Sequence, residues 1–184
     1  MLPRIPLVES KEDFWAFSKA GCDLANLHLH YEEIEAFCGL DIKFTGEIKD
    51  EYEYFSVEKL KFAAKDKKDT IIFNRHITVS GIPLKAYDYV VNGRSAIEWL
   101  FDRYQVTVDK ASGIKNDCND WSREHKNPRY IYNLLLSIIN VSLKTVDIVN
   151  ALPKVEFGGG EEIKELKFTE HDADFGTLKV AEKD

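Results

Sequence analysis

The chain has no uninterrupted apolar run near the roughly 20 residues that a membrane helix requires. Its first residues, Met1-Leu2-Pro3-Arg4-Ile5-Pro6, lack the apolar core of a signal peptide. Cysteine is scarce. Cys22, Cys38 and Cys118 cannot all pair and show no Cys-x-x-Cys spacing, so a reduced, cytoplasmic setting is expected and a zinc site is not. Cys22 is expected on the buried side of a helix. Several catalytic signatures are also missing: no Gly-x-Ser-x-Gly elbow, no Asp-Pro-Pro-Tyr-type methyltransferase motif, and no Gly-Lys-Ser/Thr after Gly158-Gly159-Gly160. Excess positive charge is absent too. The net charge is -7, which taken alone speaks against a nucleic-acid binder.

What is present fits one globular domain: 184 residues, 44% apolar and 31% charged, with three Trp, eight Tyr and eleven Phe. The charge is unevenly spread. Residues 9–53 carry a net -8 and residues 161–184 a net -4, whereas residues 54–85 carry +4 and residues 86–130 balance at zero. A cationic face can therefore form only in the middle of the chain.

Periodicity predicts an α+β fold, in which long buried helices pack on a small, mainly antiparallel sheet. The expected domain covers residues 1–153, with a helical start over 10–37, strands within 57–81 and helices over 83–104 and 128–152. Ser10 with Asp13 resembles a capping box, and Glu33 to Phe37 is expected as a second helical turn. Residues 42–54 read as a loop. Strands are expected around Val57 to Phe62, Thr70 to Asn74 and Ile77 to Gly81, with a charged turn over 65–69. Pro83 suits the start of a short helix, with Asn92-Gly93 as its stop. Ser95 can cap the next helix. Residues 105–127 form a long polar loop, and Pro128 opens the longest helix. Residues 154–184 read as an acidic tail with an edge strand near Glu165 to Phe168.

Asn116-Asp117-Cys118-Asn119-Asp120 lacks the glycine and closing glutamate of a calcium loop, so Asx turns explain it better. His28 and His30 lie two apart and point to different helix faces. His76, His125 and His171 have no partner spacing. Trp15, Trp99 and Trp121 are expected as core anchors, Trp121 being the one with a claim to exposure. One cluster stands out: Arg94, Lys110, Lys115, Arg123, Lys126 and Arg129 within 36 residues, interleaved with Ser95, Ser112, Asn116, Asn119 and Tyr130. Arginine forks suit guanine edges and phosphates, and asparagine can read adenine. Seven acids lie in the surrounding residues 86–130, so a solvated, ion-paired surface is the competing explanation.

Several long strings resemble a known family. They are Leu2-Pro3-Arg4-Ile5-Pro6, Asp13-Phe14-Trp15-Ala16-Phe17-Ser18, Leu24-Ala25-Asn26-Leu27-His28-Leu29 and Ile77-Thr78-Val79-Ser80-Gly81-Ile82-Pro83. The run from Tyr89 to Trp121, then Asn127-Pro128-Arg129-Tyr130-Ile131 and Val141-Ser142-Leu143-Lys144-Thr145-Val146, continue the match in order. They resemble the C-terminal target-recognition domain of type ISP restriction-modification enzymes, over about Leu2 to Pro153. Those polypeptides join a nuclease, a helicase-like motor, an adenine-amino DNA methyltransferase and a specificity domain. The resemblance implies sequence-specific recognition of double-stranded DNA, without catalysis, beside a methyltransferase of the same or a companion polypeptide. S-adenosylmethionine and ATP would serve the full-length enzyme, and no cofactor is expected in this domain. Beginning at a junction, the chain reads as an excised domain or a separately encoded remnant. Arg94, Ser95, Lys110, Ser112, Lys115, Asn116, Asn119, Arg123, Arg129 and Tyr130 are the expected DNA contacts, and the stretch from Phe44 to Arg75 is the alternative place for base reading.

Two other readings remain open. One is an interdomain scaffold that docks on the methyltransferase and does not touch DNA, favoured by the acidic segment Glu9 to Glu53. The other is a hydrolase using Asp117, Asp120 and a histidine, which no spacing supports.

Overall fold

Ser10 starts the first helix. Its hydroxyl accepts from the Asp13 N–H at 2.9 Å, and Glu12 and Asp13 sit at the positive end of the helix dipole. In this computed structural model, which describes residue 8 and residues 10–154, α1 runs from Lys11–Leu29 and a 3-10 turn follows at Tyr31–Glu33. The helical turn expected over Glu33 to Phe37 thus comes earlier in the chain. Everything described belongs to one compact unit, Val8–Pro153, apart from Lys154. The proposed tail strand and His171 lie outside the described residues.

Leu27 is the only buried residue of α1. Ala16, Phe17, Ala20 and Leu24 are half-buried on the same side, while Cys22, Ser18 and Ala25 are exposed on the other. Cys22 is therefore corrected from buried to exposed. A thiol on an uncovered helix face cannot be told from a core thiol by spacing alone.

The sheet contains β1 (Asp41–Phe44), β2 (Lys61–Ala64), β3 (Lys67–Ile72) and β4 (Ile77–Ser80), in the order β1-β4-β3-β2 and antiparallel throughout. β1 and the short α2 (Glu51–Tyr54) replace the loop expected over 42–54. β1 was hidden because it pairs with β4, Asp41 opposite Ser80 and Phe44 opposite Ile77, partners more than 30 residues away. α2 begins with Asp50, whose carboxylate accepts from the Glu53 N–H at 2.9 Å. Val57 and Leu60 lie outside the strand that was expected to hold them, yet both are 1% exposed.

After Ile82, a 3-10 turn at Leu84–Asp88 leads into a two-residue hairpin, β5 (Val90–Val91) and β6 (Arg94–Ser95). Asn92-Gly93 is its turn, with φ of 50° and 82°. The pair was expected to stop a helix; instead both residues take the left-handed conformation that a tight hairpin requires. α3 (Ala96–Arg103) follows, then a second small hairpin, β7 (Thr107–Val108) and β8 (Lys115–Asn116), and the short α4 (Asp120–Glu124).

α5 (Tyr130–Asn150) is the spine. Ile131, Leu135 and Ile139 bury its inner face against Phe73, Ile77 and Val79 of the sheet side and Ile97 of α3, all in one apolar cluster. Phe73, 0% exposed, meets the Tyr132 ring edge-on at 5.7 Å. Among the described residues α5 is also the one helix long and apolar enough to cross a membrane, although 67% of the relevant window is buried in the fold. Asn133, Asn140 and Lys144 interrupt its apolar run, so no uninterrupted membrane-length segment stands in the sequence. The architecture is α+β, as expected.

Candidate nucleic-acid interface

The first hairpin and α3 hold two of the expected contacts, in different circumstances. Ser95 is 2% exposed and fully occupied. Its hydroxyl accepts from the Glu98 N–H at 3.2 Å, and Glu98 accepts from the Ser95 N–H at 3.0 Å, forming a reciprocal capping box. A buried cap cannot be offered to DNA, so Ser95 leaves the list of surface contacts. The Lys68 ammonium donates to Glu98 at 2.9 Å and, with the cap, holds this carboxyl below its usual range despite burial. Arg94 is exposed, ion-paired with Asp102, and lies 5.4 Å from the centre of the Trp99 ring. Trp99 itself donates its indole N–H to the Val91 carbonyl at 2.7 Å.

The polar loop is organised by its own side chains. Asp109 accepts from the Ser112 N–H at 2.7 Å, from the Ser112 hydroxyl at 2.8 Å and from the Ala111 N–H at 3.1 Å, and these bonds hold its carboxyl below the ordinary value. Lys115 donates to Asp117 at 2.9 Å, and Arg123 to Asp120 at 2.6 Å. Burial raises the Asp117 carboxyl, but bonds from Lys115 and Asn119 outweigh it and the net shift is downward.

Asn119 has a different task from the one its sequence predicts. Its carboxamide oxygen accepts from the Val57 N–H at 2.8 Å, and its amide donates to the Val57 carbonyl at 2.8 Å and to Asp117 at 2.7 Å. The side chain acts as a strand partner for Val57 and ties the loop to the approach to β2, so it has no free edge for adenine. Lys110, Ser112, Lys115, Asn116, Arg123 and Lys126 remain exposed along this loop and α4. Among the described residues, Lys110 and Lys126 make no ion pair.

Arg129 lies outside that loop. It donates to Glu51 at 2.8 Å and covers the Phe55 ring at 4.8 Å. Tyr130 stacks on His125 at 4.2 Å and donates to Glu32 at 3.0 Å; burial, then Glu32, raise its phenol. With Trp99, Trp121 and Arg103 it lines an open concavity of about 490 Å³. Trp15, Trp99 and Trp121 are 58%, 42% and 46% exposed, so none is the core anchor that was expected. Their large rings cap the edges of the fold, a placement that composition cannot distinguish from burial.

The other described histidines have structural partners. His28 bonds Thr145 at 2.9 Å and stacks on Tyr89 at 5.4 Å, pinning α1 to α5. Asp117 and Asp120 are committed to Lys115 and Arg123, which leaves the hydrolase reading without support. Among the described residues no group of three His, Cys, Asp or Glu could hold a metal ion.

A second concavity, of about 660 Å³, contains Lys59, Lys61, Asn74, Arg75 and His76, and shares Glu53, Ser56 and Glu58 with a third, of about 620 Å³, that holds Lys115, Asn119 and Arg123. The polar loop and the tip of the β3–β4 hairpin therefore flank the same ridge. His76 is not among the expected contacts, and Arg75 is expected only as the end of the stretch Phe44 to Arg75, the alternative place for base reading. Their signal in the sequence is the +4 charge of residues 54–85 and the sharp Asn74-Arg75-His76 break between two strands.

The profile of the type ISP C-terminal specificity domain matches residues 1–134. Among solved structures, the ATP-dependent type ISP restriction-modification enzyme LlaBIII bound to DNA is 45% identical, with a TM-score of 0.73 over 84% of this chain and 9% of that one. A nuclease-deletion mutant of the type ISP enzyme LlaGI, in complex with a DNA substrate mimic, is 44% identical, with a TM-score of 0.72 over 84% of this chain and 14% of that one. The DrdV–DNA complex, solved by cryo-electron microscopy, is 28% identical, with a TM-score of 0.62 over 82% of this chain and 15% of that one. The chain thus spans 9% to 15% of the length of these relatives. No curated protein sequence gives a significant match.

Proposed function

Because the chain belongs to the type ISP C-terminal specificity domain family, we propose that it recognises a short DNA sequence for a linked adenine-amino DNA methyltransferase and its restriction machinery, and catalyses no step itself. The observation that carries this reading is the 45% identity, over 84% of the chain, with an enzyme solved bound to DNA. S-adenosylmethionine and ATP would be bound by the methyltransferase and motor parts of such an enzyme, in the cytoplasm.

The electrostatics suit a domain that shares the work of binding. Arg94, Lys115, Arg123 and Arg129 each rest on a carboxylate, and every one of these cations is about half exposed or more. Exposed pairs of this kind are worth at most about 1 kcal/mol each. A phosphate can therefore take the place of the carboxylate at little cost, and the pair keeps the side chain extended until it does. Lys110 and Lys126 need no such exchange. An acidic domain that binds by exchange has modest affinity alone and depends on a neighbouring domain for the rest.

The test is selection from a random duplex pool at two salt concentrations, with the chain in the complete polypeptide that encodes it. Enrichment of one short site, weakening as salt rises, is the expected result. Salt-sensitive binding that enriches no site would reject target recognition.

A scaffold that docks on the methyltransferase without touching DNA is the second reading, and one observation favours it. Phe14 and Trp15, 5.4 Å apart on α1, are 54% and 58% exposed, a paired apolar surface of the kind a docking partner covers. On that reading, polar-loop variants alter assembly and leave sequence preference unchanged.

A further inference from the structure

The tip of the β3–β4 hairpin is built more rigidly than an exposed turn requires. Asn74 fixes its backbone. The side-chain oxygen of Asn74 accepts from the N–H groups of His76 and Ile77 at 2.8 and 2.9 Å, and its amide donates to the carbonyls of Tyr54 and Ser56 at 2.8 and 2.9 Å. All four hydrogen-bonding positions of the side chain are used.

His76 is fixed next. Its Nδ1 lies 3.1 Å from the Thr45 carbonyl, which can only accept, so Nδ1 carries the proton and Nε2 is an acceptor. The ring stacks on buried Tyr54 at 4.8 Å with 15° between planes. Gly46, at φ +82°, makes room for it: a Cβ there would come within 3.0 Å of Nδ1.

That acceptor then holds Arg75. Arg75 Nε donates to His76 Nε2 at 2.8 Å, and Nη2 reaches Glu53 at 3.4 Å. Two of the five guanidinium N–H groups are engaged and three are left, on a side chain 73% exposed. Preorganising an exposed arginine this way has no use for stability, since the pair with Glu53 is 73% and 74% exposed. It has a clear use in recognition, where a fork held in one orientation loses less entropy on meeting the two acceptors of a guanine.

We infer that Arg75 is a guanine-reading residue of this domain and that His76 is its positioning residue. The inference rests on the DNA-recognition reading above and deepens it. The polar loop across the Glu53–Ser56–Glu58 ridge supplies phosphate contacts that set the register, and the hairpin tip reads one base pair. Tip and loop converge on one ridge, so a single duplex can meet both.

The experiment is duplex selection with the chain in the complete polypeptide that encodes it, comparing the natural sequence with R75K, R75A and H76A. R75K keeps the charge and removes the planar fork. It is expected to lose on the order of 10- to 100-fold discrimination at one G·C pair, with the other positions and the salt dependence unchanged. R75A should lose the same preference and also weaken binding to every sequence. H76A should weaken preference at that same pair. Preference at the other pairs should hold in H76A, which a general loss of structure would not leave intact. If R75K keeps the natural preference at every position, the assignment of Arg75 fails while target recognition stands. If the natural protein enriches no site, both fail.

Discussion

Replacing Asn119 with alanine separates a structural role from a DNA-reading one. The substitution strips two bonds from the Val57 backbone, one at 2.8 Å to its N–H and one at 2.8 Å to its carbonyl. Val57 is 1% exposed, so water cannot simply take over. A buried group left without a partner costs about 1–3 kcal/mol. The Cys118 thiol, 3.7 Å from the same carbonyl, offers partial relief. The expected loss is about 2–4 kcal/mol, a large part of the roughly 5–15 kcal/mol that holds a domain folded. At roughly 2–4 °C per kcal/mol for a domain of this size, Tm should fall by about 5–15 °C. Thermal melting followed by near-ultraviolet circular dichroism measures it. N119D should be at least as damaging, because a carboxylate would face the Val57 carbonyl and Asp117. Below the melt, the sequence preference of the folded protein should be unchanged. A Tm within about 1 °C of the natural protein, together with relaxed preference at an A·T pair, would refute the clamp and return Asn119 to base reading.

Ser95→Ala should cost about 1 kcal/mol through loss of the cap, seen as a Tm lower by a few degrees with DNA preference intact. The Glu98 carboxyl lies below its usual range in the folded state, so its contribution is present above roughly pH 4.5 and disappears as pH falls through the folded value; E98Q should flatten that acid limb in a pH series of melts. A thiol reagent at neutral pH should modify exposed Cys22 and Cys38 quickly and leave Cys118, whose thiol burial pushes up to about 11, unlabelled until unfolding; rapid labelling of all three would contradict the packing around Val57. Neutralising Lys110 or Lys115 should lower the slope of log affinity against log salt by about 1 if each meets a phosphate, and an unchanged slope for both would move the phosphate contacts elsewhere.

The elements that could be read from the sequence are those whose determinants are local. Ser95 and Glu98 stand three apart and announce their cap; the apolar rhythm from Ile131 to Val146 announces α5. Other features depended on partners far along the chain. β1 is a strand because Asp41 to Phe44 find β4, and Asn119 is a clamp because Val57 comes to it across 62 positions. The string Val-Val-Asn-Gly-Arg-Ser carried a hairpin signal that a preceding proline drew toward a helix reading. For the interface, residue type located the polar loop. It could not show that Ser95 is buried, that Asn119 is occupied, or that Arg75 is held by a histidine whose tautomer is set by a carbonyl 31 residues away.

α1 gains little from the core for its length. Nineteen residues are helical, and only Leu27 is buried, with His28 bonded beneath it. A helix of this length is marginal in water without packing. Its turns from Phe14 to Gly21 therefore rest mainly on the Ser10 cap and a half-buried face, while its last turn is anchored. Backbone amides there should exchange with deuterated solvent orders of magnitude faster than those of α5, and cleavage by a protease should begin there. The molecule then has two levels of cooperativity, a core that opens only with global unfolding and a first helix that can peel from its start and reseat from its end.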